Sequence, residues 1–113
     1  MIHIAFAYEP GLGSLRMRVQ GHAGAAKKGE DLICASASML AYTLGQAVCL
    51  LYEQRMLRRK PRIYIKEGCA EIIASPREGC LAEALMAFWT VQAGALVLSR
   101  NYPQFVTLEP AEV

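Results

Sequence analysis

One histidine and one cysteine in this chain have a spacing that suits nucleophilic catalysis. His22 follows a run of alternating polar and apolar residues, and Cys34 falls near the expected start of a long helix. The amide hydrogens and the dipole at a helix start favour thiolate over thiol, and the thiolate attacks carbonyl carbon. A nearby imidazole can take the thiol proton and return it to a leaving amine. The two residues therefore predict a Cys-His catalytic site.

Two polar residues share a helical stripe with the cysteine. Asp31, Cys34 and Ser38 stand at positions i, i+3 and i+7, which places them on one side of a helix. We expect Asp31 to be the N-cap, which would put Cys34 in the first turn. Asp31 could then orient His22, while first-turn amides hold the developing oxyanion. The simpler alternative is that Asp31 is only a cap and Cys34 only a small buried side chain.

Residue periodicity predicts the elements that carry these side chains. Alternating residues and turn signals predict a first hairpin from residues 2–8 and 14–20. The same signals predict a second hairpin over residues 62–75 and a possible short final strand over residues 104–108. Apolar residues at helical spacing predict helices from Asp31 to about Arg58 and from about Glu78 to Arg100. The order β-β-α-β-β-α, with a possible final β, predicts an α+β two-layer sandwich. Its mostly antiparallel sheet would carry two long helices on one face.

Length and composition limit the chain to a single domain over residues 1–113. A hydrophobic content of 54% excludes intrinsic disorder, and a net charge of +2 does not indicate nucleic-acid binding by the chain as a whole. The first ten residues have no basic leader and no long apolar segment, so we expect a cytoplasmic protein.

The cysteines indicate neither zinc nor disulfides. No two of Cys34, Cys49, Cys69 and Cys80 form a CxxC pair, and no histidine stands at zinc-ligand spacing. We therefore expect no metal, no cofactor and free thiols, as in a reducing compartment. Cys80 also falls near a predicted helix start, but no histidine follows it.

The first predicted helix is unusually poor in charge. Residues 32–52 contain no Asp, Glu, Lys or Arg, a length that would suit a membrane span. Ser36, Ser38, Thr43 and Gln46 interrupt the stretch, and a sheet protein has little use for a lone span, so we expect burial within protein and no membrane. A helix without charge on any side also predicts a second contact surface, and hence a homodimer.

The stretch around the histidine and cysteine resembles a known family signature. Gly21-His22-Ala23-Gly24, six further residues and Asp31-Leu32-Ile33-Cys34-Ala35 closely resemble the motif of the ribosomal-processing cysteine proteases, the Prp family. The later Asn101-Tyr102-Pro103-Gln104-Phe105 is similar to that family's ending. The resemblance implies a small cytoplasmic, homodimeric protease that trims the N-terminal extension of a large-subunit ribosomal protein.

The resemblance also implies roles for single residues. By position, Cys34 is the nucleophile and His22 the base, while Asp31 and Ser38 support the site. Three glycines make the connection before the helix pliable, and these loop residues are Gly21, Gly24 and Gly29. This chain has Ala25 where the family commonly has an aromatic residue, so it lacks a ring that could contact substrate.

A basic segment supports an alternative function. Residues 55–62 contain Arg55, Arg58, Arg59, Lys60 and Arg62, which could contact ribosomal RNA or an acidic partner. The alternative is therefore a non-catalytic, ribosome-associated module that binds RNA or protein through this segment. Cations at a helix C-terminus also complement the helix dipole without any partner. No aromatic residues are interleaved with them, so nucleic-acid contact has no further support.

Overall fold

The described part of the chain contains five strands and two helices. The computed structural model describes residues 1–22 and 28–109, with residues 28–31 described by their backbone alone. The elements in chain order are β1 (Ile2–Glu9), β2 (Ser14–Gly21), α1 (Lys28–Glu53), β3 (Arg62–Lys66), β4 (Cys69–Ala74), α2 (Leu81–Asn101) and β5 (Val106–Leu108). The predicted α+β class and element order are confirmed, and the possible final strand is present.

The strands form one sheet in the order β3-β4-β2-β1-β5. Neighbouring strands are antiparallel except β5, which runs parallel to β1. The end of β2 therefore lies beside the start of β1 and the start of β4, with Gly21 opposite Ile2 and Gln20 opposite Cys69. We call the side of the sheet where these strand ends meet the His22 end, because His22 directly follows Gly21.

Alternation along the strands explains the two layers. Ile4 and Phe6 of β1 and Leu15 and Met17 of β2 are fully buried, whereas their neighbours in sequence point to the uncovered face. α1 and α2 both pack on the buried face and against each other. Each large apolar side chain removed from water contributes about 1.5–3 kcal/mol, so this layer contact is the main source of stability.

The two helices are long and apolar enough to cross a membrane by length and composition. The two segments are Leu32–Glu53, with mean hydropathy 1.5, and Leu81–Asn101, with mean hydropathy 1.6. In the structure, one side of each helix packs against the sheet. The residues buried there include Leu44 and Val48 of α1 and Phe88 of α2. Packing on the sheet explains the apolar residues of these inner stripes.

Both ends of α1 differ from the prediction. The helix begins at Lys28 rather than Asp31 and ends at Glu53 rather than near Arg58. The early end has a backbone cause, because Arg55 has φ 61° and cannot continue a right-handed helix. α2 begins at Leu81, three residues later than Glu78.

The basic segment follows α1 instead of forming its last turn, which contains no basic residue. Its expected pairing with the helix dipole is therefore wrong. Arg58 instead donates hydrogen bonds to the carbonyl oxygens of Pro76, Leu12 and Gly13 at 3.2, 3.0 and 3.1 Å. It joins the β1–β2 turn to the segment after β4. We call the opposite ends of these strands, at the β1–β2 turn and after β4, the Arg58 end.

Candidate active site

Gly21 ends β2 in a conformation that other residues rarely adopt. Its φ is +100°, and a Cβ at this position would overlap the carbonyl oxygen of Met1. Glycine alone meets both conditions without strain. Gly21 is thus the last residue of β2 rather than part of a loop, and its positive φ interrupts the strand alternation before His22.

His22 is exposed at the point where the chain leaves the sheet. The backbone nitrogen of Met1 donates to its carbonyl oxygen. On its other side, the Gly21 N–H donates to the carbonyl oxygen of Gly68 at 2.9 Å. The backbone is thus held both by β1 and by the β3–β4 turn, and the imidazole rests against Gly68 of that turn.

Cys34 is the seventh residue of α1, since the helix begins at Lys28. The prediction that the thiol sits in the first turn is therefore wrong. The amide hydrogens left free by the helix belong to its first four residues, and the dipole effect fades within that turn. Cys34 is half-buried and packs against the apolar core. The helix start therefore offers a Cys34 thiolate little stabilisation.

The predicted supporting residues keep their helical spacing but not all of their roles. Asp31 is the fourth residue of α1 and does not cap it, while Gly29 is the second residue and lies outside any loop. Ser38 is exposed, one turn beyond Cys34. The Asp31, Cys34 and Ser38 stripe survives, because the backbone is helical throughout.

Topology places the histidine and the cysteine toward the same edge of the molecule. α1 begins six residues after His22 and packs on β2, β3 and β4. Its far end connects to the Arg58 end of the sheet, so its first turns lie toward the His22 end. Gly24 and Ala25 belong to residues 23–27, which lie outside the described residues. The contact between His22 and Cys34 therefore stays a prediction.

All four cysteines are unpaired and half-buried. Cys80 immediately precedes α2 and makes no side-chain capping hydrogen bond, so its predicted place near a helix start is confirmed. Cys49 lies on α1 far from its start, and Cys69 is the first residue of β4. Of the four, Cys34 is the one that follows shortly after the strand-end histidine.

Gly68 lies in the turn of the predicted hairpin over residues 62–75, but the hairpin pattern alone does not reveal its contact with the imidazole. The contact depends on the pairing of β2 with β4, which brings Gly68 beside Gly21 and His22. A register drawn from the alternating residues would have been needed to find it.

Comparison with protein families gives the class of this molecule. The family model described as cysteine protease Prp matches residues 1–107. The protein is thus a cysteine protease. More narrowly, the chain belongs to the Prp family, in agreement with the motif around His22 and Cys34. Comparison with curated proteins gives no match.

Solved structures share the same fold. SMU.848 from Streptococcus mutans is 23% identical with a TM-score of 0.68, covering 99% of this chain and 94% of that one. An essential ribosomal processing protease Prp from Staphylococcus aureus, in complex with a substrate peptide, is 18% identical with a TM-score of 0.66. A second structure of that protease, with a covalently linked product peptide, is 20% identical with a TM-score of 0.68. Both cover 99% of this chain and 100% of their own.

Proposed function

We propose that this protein is an endopeptidase that removes an N-terminal extension from a large-subunit ribosomal protein. Cys34 is the nucleophile and His22 the base. The observation that carries the proposal is the strand-end histidine, which is held at the same edge of the sheet as the first turns of α1. The family's name and the similar Staphylococcus aureus protease, described as ribosomal processing, support the substrate class.

The chemistry follows from these two side chains. The imidazole of His22 takes the thiol proton of Cys34, and the sulfur attacks the scissile carbonyl carbon to form a tetrahedral intermediate. As the intermediate collapses, the C–N bond breaks and the imidazolium gives its proton to the leaving amine. Water, deprotonated by the neutral imidazole, then hydrolyses the thioester and restores the thiol. Asp31 and Ser38 are proposed to support the site from the same helical stripe.

A matched pair of cysteine variants tests the nucleophile. Cys34 and Cys49 are both half-buried on α1, so Cys34→Ala and Cys49→Ala remove the same atoms from the same helix. Cleavage of a peptide that matches the extended N-terminus of the host's ribosomal protein is followed by mass spectrometry. Cys34→Ala should lose at least about a thousandfold in rate, whereas Cys49→Ala should cleave like the parent. Parental cleavage by Cys34→Ala would contradict the proposal.

We also propose that the molecule is a homodimer that pairs through its helix layer. Large apolar side chains remain exposed on both helices, among them Met39 at 62%, Tyr42 at 57% and Trp89 at 45%. Large exposed apolar surfaces are uncommon on monomers. A second copy is the partner that these exposed apolar side chains fit best, because the same surface on both chains needs no complementary charge.

Charge placed on the helix layer should separate the two chains. In sedimentation at micromolar concentration, the parent should have twice the monomer mass. The double variant Met39→Glu with Trp89→Glu should have the mass of a monomer. Leu12→Glu is the control, because Leu12 is equally apolar and 66% exposed but lies in the β1–β2 turn. A monomeric parent would rule out this dimer.

We place the activity in the cytoplasm. Four unpaired, half-buried thiols are typical of a reducing compartment. Localisation of a tagged chain by fractionation tests this expectation, and recovery in a secreted fraction would contradict it.

A further inference from the structure

We propose that Gly68, in the turn between β3 and β4, is a positioning residue for the imidazole of His22. The inference rests on the proposed role of His22 as the base. Because Gly68 has no side chain, the imidazole can lie directly against the turn. In this role Gly68 itself does not contact substrate.

The geometry of this contact leaves no room for a side chain at position 68 unless the imidazole moves. A Cβ on Gly68 would lie 2.6 Å from Nε2 and 2.9 Å from Cε1 of His22, well inside van der Waals contact. Both atoms belong to the free end of an exposed side chain, so a Cβ would displace the imidazole before it disrupted the fold. The turn therefore limits where the imidazole ring can lie on that side.

The backbone alone does not fix this ring. The Gly21 N–H bond to Gly68 and the Met1 bond to the carbonyl oxygen of His22 hold the main chain on both sides. The side chain still has two rotatable bonds, and it is exposed to solvent. Contact with Gly68 removes part of that freedom on one side of the ring. A base restricted in this way spends more time within reach of a proton.

A second glycine provides a matched control. Gly68 has φ +78° and Gly79 has φ +89°, so a side chain strains the backbone at both positions. A Cβ on Gly79 would meet nothing within 4 Å, and Gly79 lies before α2, toward the Arg58 end. Asparagine is the substitution of choice, because it tolerates positive φ better than other side chains. Gly68→Asn and Gly79→Asn should therefore fold alike and differ in their effect on His22.

Histidine NMR reports the contact without any assay of activity. The chain has two histidines, and the sequence gives them as His3 and His22. His3 lies on β1 near Glu109, with 3.8 Å between Nδ1 and the carboxylate, and serves as the internal reference. Gly68→Asn should shift the imidazole Cε1–H and Cδ2–H resonances of His22 and leave those of His3 in place. Gly79→Asn should shift neither set. Unchanged His22 resonances in Gly68→Asn would overturn the proposal.

Peptide cleavage then tests whether the contact serves catalysis. A displacement of about 1 Å in a catalytic group can cost a hundredfold, so Gly68→Asn should lower kcat about 10- to 100-fold and change KM less than about twofold. Gly79→Asn should keep parental values. Shifted His22 resonances with parental kcat would overturn the catalytic part of the proposal. If His22→Ala itself cleaves like the parent, the proposed function fails, while the NMR comparison still decides the contact.

Discussion

The two ends of the sheet are held by different kinds of interaction. At the His22 end, main-chain bonds and the close approaches of Gly21 and Gly68 fix the backbone, while the imidazole stays exposed. At the Arg58 end, Leu57 is 2% exposed and pairs through a β-bridge with Pro76, and the Arg58 guanidinium joins three carbonyl oxygens. One end thus presents an exposed imidazole, and the other contributes side-chain burial.

In the proposed mechanism, the end of the sheet that supplies the catalytic base is not the end whose buried side chains stabilise the fold. A catalytic base gains from exposure to substrate, which costs the burial that would otherwise stabilise its surroundings. The Arg58 end has no such demand in the proposed mechanism, so its side chains are free to pack. Variants at the two ends should therefore change different measured quantities.

The largest effect is expected from His22→Ala. Removal of a general base costs about 10²- to 10⁴-fold in rate, so peptide cleavage should fall by that factor. Because His22 is exposed, the midpoint of thermal unfolding should stay within about 2 °C of the parent, as for most surface substitutions. Calorimetry and a cleavage assay on the same sample measure both. A large loss of stability with retained cleavage would reverse the comparison.

Leu57→Ala should produce the opposite result at the other end. Truncation of a fully buried leucine costs about 2–5 kcal/mol, so the free energy of unfolding measured in urea should fall by that amount. At a temperature where both proteins are folded, kcat should match the parent. Leu12→Ala is the control, since Leu12 is 66% exposed. A fall in kcat for folded Leu57→Ala would show that the two ends are coupled.

Gly21→Ala should be the most destabilising change at the His22 end. The left-handed conformation costs a non-glycine residue about 1–2 kcal/mol, and the new Cβ would also overlap the Met1 carbonyl oxygen. Urea unfolding should therefore show a loss of at least about 1 kcal/mol, with weaker cleavage because the adjacent His22 moves. If this variant unfolds with the same free energy as the parent, the start of β1 can move to accommodate the new Cβ without loss of stability.

Local patterns were sufficient to predict most of the fold. Alternation in β2 and the helical spacing from Ile33 to Val48 each report which face is buried, and the structure confirms both. The start of α1 was missed because Lys28-Gly29-Glu30 shows no apolar period. Its end comes earlier than predicted because Arg55 adopts a left-handed conformation, which the sequence pattern does not reveal.

The candidate site was only partly predictable for a different reason. The motif identifies His22 and Cys34, because activated thiols need an imidazole and both are close in sequence. Gly68 meets His22 across two strands, and such a contact depends on sheet register rather than on any local pattern. The role of Arg58 was mistaken for the same reason, since its partners lie in two distant turns.

The smallest difference concerns neighbouring arginines of the basic segment. Arg58 donates to three carbonyl oxygens, so Arg58→Ala should lower the free energy of unfolding by about 1–2 kcal/mol. Arg59 is exposed, and Arg59→Ala should stay within about 0.5 kcal/mol of the parent. Urea unfolding measures both. If the segment binds RNA instead, both variants should weaken salt-sensitive binding alike, whereas an anchoring role for Arg58 predicts that they differ in stability.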